Sequence, residues 1–394
     1  MRGPALVRSF RRNDHAAVLS VAAVAATVSI SAAGALPALA RTTTGDTWIG
    51  DALSGIRETG TAVLANLSDP TFYGTAAAGL LMLAGAGFAH AIRTRDVGWK
   101  GFPVACDSGL WGWMAGAGIL ALLLSHLCWG WTRSPDTPWQ PLFVAFVSVT
   151  PAVVLMYGRG WKVALTAAVL GAGLTAPAAI AAATYLCVPL GVPTVAGFTA
   201  AMAVTAYISF AVCRRLPWLD LHAGKYVQQP GLGTGVGADS PQSATWMLRR
   251  VLADFTEAPF FGNEWAGAGL IAGAVLAYLT TQPTEGLAAL FPQILGAQLA
   301  AGALSVIVWR GRWRAHGWYP SFVPVVSVAP AAVIAFEASP VPTLAALVLG
   351  VLSGPPLAFR IGALVPRHVH RFVGCVGSMA ICTSAIVPAI SLLT

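Results

Sequence analysis

Two proline-centred blocks hold the residues best placed for chemistry. Residues 141–154 read P-L-F-V-A-F-V-S-V-T-P-A-V-V, and residues 320–333 read P-S-F-V-P-V-V-S-V-A-P-A-A-V, with nine of fourteen positions identical. Both blocks lie in apolar runs, and in a helix their central prolines, Pro151 and Pro330, carry no N–H to donate. The carbonyls four residues back, on Val147 and Val326, then lose their helical donors, with Ser148 and Ser327 beside them. In hydrocarbon a freed carbonyl needs a partner, so such breaks are tolerated where protein or a water-filled cavity surrounds them. One reading is a solute site built from two half-sites. The other is a packing kink, each serine bonding back to its own helix.

Other candidate groups are few. His126 is the titratable group best placed inside an apolar run, and Gln298 is an uncharged polar group that could bind a solute or bridge helices. No Asp, Glu, Lys or Arg falls deep within any such run, whereas most proton-coupled carriers bury an ionisable relay. Glu264 and Glu337 sit at run ends, where they could line vestibules. His368 and His370 stand between Arg367 and Arg371 with no acid or thiol near in sequence. They make a poor metal site and a good membrane anchor, so no metal and no cofactor is expected. Paired aspartates, HExxH and G-x-S-x-G are all absent, so the chain is not expected to be an enzyme. The glycines of 231–237 follow no strand and precede no close lysine. They read as a linker rather than a phosphate loop. Six cysteines without a CxxC pair read as small buried hydrophobes.

The elements that must position these groups follow from composition. Of 394 residues, 56% are apolar and only 10% charged, which excludes both a water-soluble globule and a disordered chain. Eleven apolar windows of about the length that crosses a bilayer occur, at 16–40, 72–92, 109–131, 141–157, 163–187, 194–213, 265–282, 287–309, 321–337, 341–359 and 372–392. The first follows Arg2, Arg8, Arg11 and Arg12 and ends in Ala38-Leu39-Ala40, like a signal peptide. Its length favours a retained span over a cleaved leader. With the N-terminus in the cytoplasm, only Arg41, Arg57 and Arg133 of the 23 Lys and Arg fall outside. That is the bias of the positive-inside rule, and it accounts for the net charge of +8 without nucleic acid.

The chain also repeats itself. Residues 63–74 (V-L-A-N-L-S-D-P-T-F-Y-G) match 251–262 (V-L-A-D-F-T-E-A-P-F-F-G) at an offset of 188, and the proline blocks match at 179. The first copy is therefore longer, with the extra length expected in the loop 93–107. Spans two to six match spans seven to eleven, and an odd number of spans inverts the second copy. The expected fold class is an all-α polytopic membrane protein with about eleven transmembrane helices, N-in and C-out. It comprises two inverted-topology repeats of five helices plus one N-terminal helix. The expected organisation is a basic N-terminus and first helix at 1–45, repeat one at 46–213, a cytoplasmic Gly-rich linker at 214–242, and repeat two at 243–394. The last opens with an amphipathic helix over Ser243–Phe261, its apolar face formed by Trp246, Met247, Val251, Leu252 and Phe255.

This organisation resembles that of many secondary transporters, whose sites lie at the midplane between copies. The expected function is an integral permease of the plasma (cytoplasmic) membrane. It would move a small polar or amphipathic solute, or an ion, by alternating access. A passive channel and a non-catalytic subunit of a larger complex are the alternatives. The expected partners are the solute and the lipid bilayer, with no nucleic acid, and a homo-oligomer is compatible with the sequence.

Overall fold

The computed structural model describes residues 60–69, 71–93, 95, 97, 99–132, 141–221 and 243–394. The expected first span and residues 222–242 of the expected Gly-rich linker lie outside them. The described residues are helical and form no strand. Six helices are long and apolar enough to cross a membrane: Trp111–Thr132, Trp161–Leu190, Thr194–Cys213, Phe291–His316, Pro340–Leu364 and Phe372–Ser391. This is a multi-pass membrane protein by the length and composition of its helices.

In chain order, helical residues 60–65 precede α1 (Ala76–Ile92), α2 (Trp111–Trp129), α3 (Val144–Val147), α4 (Val149–Tyr157), α5 (Trp161–Leu190) and α6 (Thr194–Cys213). After the linker come α7 (Ala244–Asp254), α8 (Glu264–Thr281), α9 (Phe291–His316), α10 (Val328–Ala335), α11 (Pro340–Leu364) and α12 (Phe372–Ser391). The two runs follow the same order of elements except that α3 has only turns as its counterpart, and the likeness extends to detail. Thr75 caps α1 and Asn263 caps α8, each accepting from first-turn N–H groups. The glycine before each cap, Gly74 and Gly262, is left-handed, with φ 48° and 54°. In the first half the Trp129 indole donates to the Ala172 carbonyl at 2.9 Å; in the second, Trp309 donates to Val351 at 2.8 Å.

The windows 141–157 and 321–337 are not continuous helices. The first divides into α3 and α4 at Ser148, with φ −130° and ψ −105°. The second is a series of turns over 321–327 leading into α10, with Ser327 at φ −136° and ψ −84°. The break falls three residues before each proline, next to the carbonyl that proline deprives of a donor. Neither α4, of 9 residues, nor α10, of 8, reaches across a bilayer. Every residue of α4 is buried, so the apolar run that resembled a bilayer span reflects burial within protein.

α1 and α8 pack backbone to backbone at three glycines. A Cβ on Gly85 would lie 2.2 Å from the Trp265 carbonyl oxygen; on Gly269, 2.2 Å from that of Leu81; on Gly273, 2.4 Å from that of Ala77. Residue numbers rise along one helix as they fall along the other, so the pair is antiparallel. At the offset of 188, residue 85 corresponds to 273 and 77 to 265. The contacts Gly85–Trp265 and Gly273–Ala77 are therefore one contact seen from each half.

The helix expected to lie on the membrane surface is amphipathic, with Leu248 exposed and part of its polar side buried. Along α7, Trp246 and Val251 are buried, but so are Arg250 and Asp254 on its polar side, which are 3% and 1% exposed. Part of the cover comes from residues 99–107, whose Phe102 packs on Arg250 and Trp246, and part from Trp313 and Ser321. Residues 99–107 fold onto the second half, where Asn263 Nδ2 donates to the Phe102 carbonyl at 2.5 Å and Ala105 N donates to the Phe260 carbonyl at 3.1 Å.

Candidate binding cavity

A cavity of about 500 Å³ lies where the two halves meet. Its wall comes from the segments that precede α1 and α8, from the broken helices, and from α6 and α12. Five pairs of lining residues are related by the offset of 188: Leu67 and Phe255, Asp69 and Glu257, Phe72 and Phe260, Tyr73 and Phe261, Met82 and Leu270. At the offset of 179, Phe143 pairs with Phe322 and Val147 with Val326. Both halves thus present corresponding side chains to one space, and most are aromatic or aliphatic.

The polar groups differ between halves. On the second-half side, Arg250 reaches Asp254 at 2.8 Å and Glu257 at 2.6 Å, and lies between the rings of Phe102 and Trp313, 5.0 and 4.9 Å from their centroids. Ser321 Oγ donates to Asp254 at 2.8 Å and accepts from the Trp313 indole at 3.1 Å; the Trp318 indole donates to Glu257 at 3.0 Å. Burial raises the Asp254 carboxyl to about 6, opposed by Arg250 beside it. The guanidinium satisfies two carboxylates, which is the condition for tolerating a buried charge.

On the first-half side the corresponding positions are Ala62, Asn66 and Asp69. Alanine replaces the arginine. Asp69 accepts a hydrogen bond from Thr71 N at 2.9 Å, and among the described residues no basic side chain pairs with it. Burial pushes its carboxyl up to about 7, only partly offset by Thr71. Nearby, the Tyr73 hydroxyl donates to Gln298 Oε1 at 3.1 Å, and Gln298 Nε2 donates to the Val325 carbonyl at 3.0 Å, within the unwound stretch before Ser327. His370, between α11 and α12, also lines the cavity. Its Nδ1 accepts from Phe372 N at 3.1 Å, and burial lowers its pKa to about 4, leaving a neutral imidazole.

Of the residues singled out in the sequence, Val147 and Val326 line the cavity. Ser148 and Ser327 are fully buried and turn back, donating to the carbonyls of Val144 and Val323 one turn earlier. Pro151 and Pro330 are buried in α4 and α10, behind the wall. Gln298 supports Tyr73 from behind. His126 stands apart from the lining, its Nδ1 2.9 Å from the Leu122 carbonyl and its Nε2 3.4 Å from Asn66 Nδ2. Glu264 lines no vestibule. It accepts from Arg249 at 2.7 Å and from Phe102 N at 2.8 Å, fastening the loop 93–107. Sequence reasoning missed Asp69, Tyr73 and Glu257 as cavity residues and read His370, a fourth, as a membrane anchor. The signal for three of them was present in the matched blocks 63–74 and 251–262, where an acid and an aromatic recur in register. No protein-family model, curated protein or solved structure matches the chain.

Proposed function

We propose that the chain is a permease of the cytoplasmic membrane, moving a small, largely apolar solute through this cavity by alternating access, and that it is not an enzyme. The observation that carries the reading is the composition of the wall: seven lining pairs are related by the repeat. A site shared in this way changes access when one half rocks against the other. The antiparallel pairing of α1 and α8 supports an inverted relation between the halves. An axis that exchanges two antiparallel helices runs across them, not along them. Under this reading the first half is 46–213 and the second 243–394. The short broken helices, enclosed by protein, are the irregular backbone that membranes tolerate only around an interior space.

The test needs no knowledge of the solute. Single cysteines are placed at Val147 and Val326, with the native cysteines replaced, in sealed vesicles of known orientation. A carrier predicts that a small thiol reagent reaches both positions, from one face at a time. Simultaneous access from both faces would indicate the channel alternative. Failure to label either position would mean that the cavity is not a solute site.

A further inference from the structure

The cavity wall is chemically lopsided, and the asymmetry defines a ligand. Within the wall, Glu257 is neutralised internally by Arg250, at 2.6 Å. Its counterpart Asp69 lines the same cavity, accepts from the Thr71 amide at 2.9 Å, and among the described residues pairs with no basic side chain. The arginine that would neutralise it is replaced by Ala62. The cavity that Asp69 lines is rich in aromatic rings, with Phe72 and Tyr73 on its own segment and Phe143 and Phe198 elsewhere in the wall. A carboxylate closed into apolar surroundings is costly without a positive partner. Aromatic faces attract cations and exclude water. The wall carries other charges as well. Arg250 is engaged by two carboxylates, and Arg314 and Arg371 are exposed side chains from the His316 end of α9 and the start of α12.

We propose that the cavity takes a monovalent organic cation with an apolar or aromatic body, and that the Asp69 carboxylate is its counter-ion. The inference rests on reading this cavity as the solute site. It adds the charge and character of the solute, and it assigns to Asp69 the role that Arg250 fills for Glu257. The ligand supplies, from outside, the cation that no described residue of the first half provides.

Binding of tetraphenylphosphonium to the purified full chain tests this, with tetraphenylborate as a probe of the same shape and opposite charge. The expected result is saturable binding of the phosphonium and none of the borate. Asp69→Asn should weaken phosphonium binding at least tenfold, about 1.4 kcal/mol. Asp69→Glu, which copies the acid at 257, should retain it. Ala62→Arg, which copies the arginine at 250, should displace the probe while leaving the acid in place; these two variants keep the test decisive if Asp69→Asn fails to fold. Equal binding of both ions, binding of the borate alone, no saturable binding of either, or full phosphonium affinity in Asp69→Asn or Ala62→Arg would overturn the proposal. Binding is measured without transport, so the two readings fail separately. Asp69-dependent binding to a protein whose cavity never changes access would refute the permease alone. Alternating access without phosphonium binding would refute only the cation site.

Discussion

Adding one methyl group between α1 and α8 should act as a wedge, and its cost can be worked from the structure. In Gly85→Ala the new Cβ would stand 2.2 Å from the Trp265 carbonyl oxygen. An ordinary contact needs about 1 Å more, and the obstacle is backbone, which no rotamer change can move aside. Overpacking of this kind costs about 1–3 kcal/mol. Alanine recovers roughly 0.5–1 kcal/mol of helix propensity, so the net loss should be about 0.5–2 kcal/mol. Gly116→Ala and Gly296→Ala are the controls. Both glycines are exposed in helices with nothing within 4 Å of an added Cβ, so only the propensity gain remains. The two classes should therefore differ by about 1–3 kcal/mol in opposite directions. Gly273→Ala inserts the same wedge from the other half. The double variant should lose less than the sum, because helices already forced apart by one methyl accommodate the second. Equilibrium unfolding in mixed micelles, followed by tryptophan fluorescence, measures these differences. A Gly85→Ala protein as stable as Gly116→Ala would refute the close antiparallel contact, and full additivity would refute the shared spacing.

Two further outcomes are expected. Asp69, raised to about 7 by burial, takes up a proton more readily folded than unfolded, so its contribution to stability is present at low pH and is lost as pH rises through about 7. Asp254 acts in the same sense but lower, at about 6, while His370, lowered to about 4, acts in the opposite sense once pH falls below its usual 6.5. The thermal midpoint should therefore rise between pH 8 and pH 6.5, and Asp69→Asn should flatten that slope; an unchanged slope would remove Asp69 as its source. In sealed vesicles, a cysteine at Glu285 should react with an impermeant thiol reagent from outside, and cysteines at Arg312 and His368 only from the cytoplasmic face. Labelling of all three from one side would contradict the topology inferred from basic residues.

The helical elements and their matching order were legible because the repeat left two blocks nearly intact and the apolar windows marked the long helices. The proline blocks also pointed to the two breaks, though the unwound residues are the serines three positions earlier. Periodicity could not show that α3, α4 and α10 are buried by protein rather than lipid, since both surroundings select the same residues. The cavity was only half legible. Val147 and Val326 were found from the proline chemistry, but Asp69 and Glu257 lie outside the apolar runs, where acids ordinarily face water. Their burial depends on the loop 93–107 and on the segments before α1 and α8 folding inward. Those contacts join residues more than a hundred positions apart, such as Asn263 and Phe102. The α1–α8 contact was hidden for a simpler reason. Glycine is common in membrane helices, and nothing local separates Gly85, which touches backbone, from Gly116, which touches nothing.

The paired indole bonds, Trp129 to Ala172 and Trp309 to Val351, divide the constraint on the chain unequally. The donor is a side chain, and among apolar rings only tryptophan carries that N–H. The acceptor is a main-chain carbonyl, which every residue possesses. One end of each bond is thus tied to a single residue type, while the other is free to vary, as it has between alanine and valine. Two segments of similar sequence, each braced internally by such a bond, can lose most of their visible likeness and still keep a common frame. The likeness that survives in letters then understates the likeness that survives in space.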